Sequence, residues 1–226
     1  MNWWVHSLWN ENPAMLVSWV VWVLAAIILH ELSHGWAAIR FGDRTPIETG
    51  HMTWNPLVHL GGFSLIVFAI VGIAWGAMPV NPSRMRGRHA ESLVALAGPA
   101  MNLVLAIGAT VLGLVWAGIA GGHWISGVHA EEPLYTNMLT FFRTGVFLNV
   151  VLMVFNLMPI PPLDGSRIAA HYSPEYRRFF ESENGRWVGM GLFVLLFFFG
   201  FDLIIGNVAN WTFDVWSVLA GLLGVG

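Results

Sequence analysis

The chain has 226 residues, 56% hydrophobic and only 10% charged, against about 25% charged in a soluble domain, so it reads as a membrane protein. A net charge of −3 does not suggest a nucleic-acid partner, and the absence of cysteine excludes disulfides and thiolate metal sites. All ten basic residues are arginine.

The first twelve residues contain neither lysine nor arginine, so the basic n-region of a cleavable signal peptide is missing. Five hydrophobic segments follow, at about residues 14–39, 62–78, 92–119, 141–160 and 187–206. A spanning helix needs roughly 20 apolar residues. Four segments satisfy this, and the second lies at the lower limit, with Gly72 and Gly76 inside it. The expected fold is an all-α polytopic membrane protein, a transmembrane helix bundle with a short extended or re-entrant element after the first helix. One membrane-embedded domain is expected over residues 1–226, with a core at about 14–172 and C-terminal helices at about 187–226.

The first segment ends in His30-Glu31-Leu32-Ser33-His34. Positions i and i+4 of a helix lie about 40° apart around the axis and about 6 Å apart along it. Both imidazoles can therefore reach one metal ion, with Glu31 beside the first of them. Ionisable groups at lipid depth are costly and mark functional sites. After this helix, residues 45–56 carry Pro46, Pro56, Gly50 and several threonines. They read as an extended, hairpin-like element or a surface loop.

A catalytic zinc site takes three protein ligands and leaves a position for water. The third candidate is Asp164, in Phe155-Asn156-Leu157-Met158-Pro159-Ile160-Pro161-Pro162-Leu163-Asp164-Gly165. The prolines break the helix, and Gly165 lets the backbone turn. Glu31 and Asp164 sit at the C-terminal ends of the first and fourth segments. They meet only if those two segments run in the same direction, which requires segment 62–78 to dip in and return. Arginine placement demands the same. With a re-entrant second segment, Arg40, Arg44, Arg84, Arg86, Arg88, Arg167, Arg177, Arg178 and Arg186 share one side and only Arg143 lies opposite. A crossing second segment gives at best seven against three. The positive-inside rule then puts those nine in the cytoplasm and the N-terminus outside.

One Zn²⁺ per chain, two neutral imidazoles and one carboxylate leave a charge of +1, which ionised Glu31 cancels. A near-neutral cluster is tolerable at low dielectric. Glu31 is the candidate general base. Asn156 is a candidate for orienting substrate, and Asn102 for supporting the metal ligands; helix–helix hydrogen bonding is the competing role for both. His51, His59 and His89 are expected on the cytoplasmic surface, and His6, His123 and His129 outside. The apolar tail 211–226 is expected to be an interfacial helix, with Trp211 and Trp216 near the headgroups.

HELSH, the AGPAMN run (97–102) and NLMPIPPLDG (156–165), together with TWNPLVHLGG (53–62) and PVNPSRMRG (79–87), resemble the site-2 protease family of intramembrane zinc metalloproteases. The likeness covers about residues 14–172 and fits the small bacterial members, with no room for a PDZ or CBS domain. Ser166 stands where the family often has a second glycine. The resemblance implies His30, His34 and Asp164 as zinc ligands, Glu31 as catalytic base and Asn156 as the family's NxxP asparagine. It implies single-pass transmembrane substrates, often trimmed first by a site-1-type protease, cut in a prokaryotic inner or plasma membrane. Two other functions fit the residues. One is an inactive membrane protein that binds helices without cutting them. The other is a metal or proton carrier; it would need polar residues continuing on both sides of the site, and segments 92–119 and 187–206 offer almost none.

Overall fold

The computed structural model describes residues 3–225. Helix α1 (Trp4–Glu11) leads into α2 (Pro13–Arg40), which Asn12 starts by accepting a hydrogen bond from the Met15 N–H at 3.0 Å, with Pro13 in the first turn. After α3 (Thr45–Glu48) come α4 (Pro56–Val71), α5 (Ala90–Ala120) and α6 (Glu132–Asn156). The short helices α7 (Asp164–Tyr172) and α8 (Pro174–Glu181) precede α9 (Glu183–Leu195), a π-helical turn over 196–200 and α10 (Phe201–Leu222). No strand occurs among the described residues.

Three helices, α2, α5 and α6, are long and apolar enough to span a bilayer, and the bent pair α9–α10 makes four if it counts as one span. These three form the centre: α5 packs on α6 and α2, and α2 on α6. The close approach rests on small residues along α5: Gly98, Ala106, Ala109, Gly113 and Ala117 are all buried. Small side chains let backbones meet where the lipid offers no hydrophobic drive. One apolar cluster joins α5, α6 and α10 through Ala109, Leu114, Val150 and Trp216. A second joins α2, α4 and α6 through Ile27, Leu32, Phe68 and Leu148.

The second hydrophobic segment enters and returns. α4 ends at Gly72, which takes a left-handed φ of 85° that favours glycine. Residues 73–81 then run back without helical structure. The Trp75 N–H and carbonyl both pair with Ser64 Oγ, at 2.9 and 2.8 Å, and the Ala77 N–H donates to His59 O at 3.0 Å. Asn81 N–H reaches Asp43 Oδ2 at 2.6 Å. The chain is thus back beside the C-terminal end of α2, where it left. Three indole N–H groups pin the tip: Trp3 and Trp4 donate to Ala69 O, and Trp19 to Gly72 O.

Two expectations are corrected. Residues 45–56 form no hairpin: α3 takes 45–48, with Pro46 in its first turn, and 49–55 is a loop, so the surface-loop alternative holds, while a second non-helical run lies at 73–81. The tail is not a separate helix, and Trp216 is not exposed. The tail continues α10, and Trp216, 5% exposed, packs against Gly113.

Candidate metal centre

α2 presents His30 and His34 one turn apart, and both are buried. Asp164 comes from the other side of the bundle, in the first turn of α7, where backbone N–H groups favour a carboxylate. The loop from α6 to α7 folds tightly on itself at Gly165. A Cβ there would lie within 2.5 Å of Met158 O and closer still to the Leu157 carbonyl.

The three side chains converge. His30 Nε2 lies 3.1 Å from His34 Nε2 and 3.1 Å from Asp164 Oδ2, and His34 Nε2 lies 3.2 Å from the same oxygen. Among the described residues this is the one group of three or more His, Cys, Asp or Glu whose ligand atoms could share an ion. With zinc–nitrogen bonds near 2.0–2.1 Å, tetrahedral ligands stand about 3.3 Å apart. The observed triangle is that face to within a few tenths of an ångström. Two nitrogens and one carboxylate oxygen also form a donor set that suits zinc.

Each imidazole is held from behind. His30 Nδ1 donates to Asn102 Oδ1 at 2.6 Å, and His34 Nδ1 donates to Val94 O at 2.7 Å. Both Nε2 lone pairs therefore face Asp164 and the ion site. Asn102 in turn donates from Nδ2 to Asn149 Oδ1 at 3.0 Å, and Asn149 donates to Gly145 O at 2.9 Å. Neither asparagine has any solvent exposure. The relay ties α2, α5 and α6 together through polar groups whose partners are all present, which is what burial at this depth demands.

Two glycines set the space. A Cβ on Gly98 of α5 would lie 2.5 Å from His30 Nε2 and nearer still to His34 Nε2. A Cβ on Gly76 would lie 2.8 Å from both Cγ and Oε1 of Glu31 and 2.7 Å from Ile27 Cγ2. The returning run of the re-entrant element thus passes directly over Glu31, which is itself buried.

Asn156 is not part of this cluster. Its Nδ2 donates to Leu152 O at 3.0 Å at the end of α6. His59 is not on the surface as expected; it is 2% exposed, and its Nε2 bonds to Thr53 O at 2.6 Å. Its Nδ1 is the only buried side-chain nitrogen or oxygen without a hydrogen-bond partner among the described residues. Sequence reasoning passed over Asn149, Gly98 and Gly76. Asn149 had a readable signal, an amide within the apolar run of α6. Gly98 had none beyond its place in AGPAMN, and Gly76 stood only as a glycine inside the second apolar segment.

Comparison with known proteins agrees with this chemistry. The family model described as peptidase family M50 matches residues 18–199. The chain is 37% identical over 159 residues to "Putative zinc metalloprotease YwhC" of Bacillus subtilis, covering 69% of this chain and 68% of that one. It is 33% identical over 211 residues to the Rip2 protein of Mycolicibacterium smegmatis, covering 90% and 75%. A protein of Methanocaldococcus jannaschii, MJ0611, is 26% identical over 164 residues, covering 73% and 75%. The last two carry the same zinc metalloprotease designation. No solved structure matches the chain.

Proposed function

The chain belongs to peptidase family M50, and on that premise we propose that it is a site-2-type zinc metalloprotease, an integral multi-pass protein that hydrolyses peptide bonds within or near transmembrane helices of other membrane proteins. The observation that carries this reading is the convergence of His30, His34 and Asp164 beside Glu31, buried within a bundle of apolar helices. The first three would hold the ion and Glu31 would act as the base. Bound there, zinc supplies Lewis-acid polarisation of the scissile carbonyl and acidifies the attacking water toward a pKa of about 7.

The protein's own groups do the rest. Glu31 accepts a proton as the water oxygen bonds to the carbonyl carbon, and passes that proton to the amine as the C–N bond breaks. The Asn149–Asn102–His30 relay keeps one imidazole from rotating away. The non-helical run at 73–81, lying over Glu31, would hold an unwound substrate segment by backbone pairing. By the arginine distribution, the active-site end faces the cytoplasm and the N-terminus lies outside. The proposed substrates are single-pass proteins first trimmed by a site-1-type protease.

A carbonyl inside a helix is already hydrogen bonded and shielded, so cleavage requires local unwinding. Model transmembrane peptides with Gly, Pro or Asn near the scissile bond are expected to be cut at least tenfold faster than an uninterrupted Leu/Ala helix. The check is product formation by mass spectrometry with the purified protein in micelles. Equal cleavage of both, or cleavage that persists after zinc is removed, contradicts the proposal.

A further inference from the structure

Arg143 is the one arginine away from the arginine-rich end of the bundle, and the protease reading gives it no task. It lines a cavity of about 300 Å³ between α2, α6 and α10, with Met15, Thr140, Thr144, Phe147, Thr212 and Trp216 among the other walls. On α2 the cavity is touched at Met15, near the helix start, and on α6 at residues 140–147, about 14–24 Å along the axis before the helix ends at Asn156, so it lies away from the arginine-rich end. The Arg143 guanidinium carbon stands 5.1 Å from the centre of the Trp216 ring, a cation–π contact that orients the group without neutralising it. Among the described residues no carboxylate pairs with it, and none lines the cavity.

The polar side chains of the lining are Arg143 and three threonines. Two of the hydroxyls are engaged, Thr140 with Thr136 O at 2.9 Å and Thr212 with Ala209 O at 3.0 Å. Thr144 differs. It is 4% exposed, and its hydroxyl faces only the Met15 sulfur at 3.3 Å. A thioether is a weak acceptor, so this donor is available to a better one. A fixed positive charge and a spare donor, ringed by apolar walls, match a phosphate ester that carries acyl chains. A guanidinium takes phosphate oxygens bidentately, and Val146, Phe147 and Phe213 offer surface to the chains.

We propose that the cavity around Arg143 and Thr144 binds the phosphodiester headgroup of an anionic phospholipid from the leaflet opposite the arginine-rich end. Such a lipid would neutralise the arginine and fasten α10 to α2 and α6. The site is independent of the catalytic reading.

The test is native mass spectrometry of the full chain in detergent micelles. The probes are phosphatidylglycerol, phosphatidylcholine and inorganic phosphate. One phosphatidylglycerol per chain is expected to survive activation that strips phosphatidylcholine, and 10 mM phosphate (about the highest level compatible with the method) is expected not to displace it. Arg143→Gln should lower phosphatidylglycerol retention about tenfold. Thr144→Val, which keeps the volume, should lower it about threefold and decides the matter if Arg143→Gln fails to fold. Arg178→Gln, an exposed site on α8, should change nothing. Equal retention by wild type and the folded cavity variants overturns the proposal. Binding of free phosphate in place of the lipid, or an equal loss in Arg178→Gln, overturns it too.

Discussion

Gly98→Ala is expected to leave the protein folded and without its metal. The added methyl would sit 2.5 Å from His30 Nε2 and closer still to His34 Nε2, on the side of the imidazoles that α5 faces. Neither ring can yield freely, because Asn102 holds His30 and the Val94 carbonyl holds His34. Disturbing groups that only orient metal ligands costs about 10–100-fold in affinity, and a clash with both ligand nitrogens should cost at least that. Zinc retained after dialysis should fall from about one per chain to a small fraction, and cleavage should fall with it. Gly108→Ala is the control on the same helix. A Cβ there meets nothing within 4 Å, and exchanging glycine for alanine within a helix gains about 1 kcal/mol. That variant should keep its zinc. A Gly98→Ala protein with full zinc content would mean that α5 does not form the floor of the site.

Glu31→Gln should separate binding from turnover. The amide keeps the size of the side chain but cannot take the proton of the attacking water. General acid–base catalysis contributes about 10²–10⁴-fold, so kcat should fall by roughly a thousandfold. Zinc content should be unchanged, because Glu31 is not among the three converging ligand atoms. The same variant discriminates between functions. A protein that only bound helices, or that carried metal through His30 and His34, would show no turnover to lose. Turnover within tenfold of wild type would remove Glu31 from the role of base.

The centre of the site was legible because its signals are local or topological. HELSH brings two imidazoles to one face by helical spacing alone. Asp164 required a topological step, and the structure satisfies it with an element that returns at Gly72. Asn102 was read as a support for the ligands, and it bonds directly to His30. Other features carried no such pattern. Hydropathy treats 62–78 as one apolar run, yet the helix stops at Val71 and the remainder is irregular backbone over Glu31; a short apolar run does not declare its backbone. Pro46 looks like a breaker in sequence, but in the first turn of a helix its missing N–H costs nothing. Gly98 and Gly76 matter through what they leave empty, and that is defined only once distant helices meet. Trp216 reads as an interfacial anchor until Gly113 supplies the recess that receives it.

The most direct measurement is zinc content together with zinc K-edge X-ray absorption on the purified wild type and on Asp164→Asn. Wild type should bind about one zinc per chain with only nitrogen and oxygen neighbours, two of them imidazoles, and Asp164→Asn should lose most of the metal. An Asp164→Asn protein with full zinc and an unchanged absorption spectrum would mean that α7 brings no ligand to the histidines of α2, and the hydrolytic centre described above would not exist.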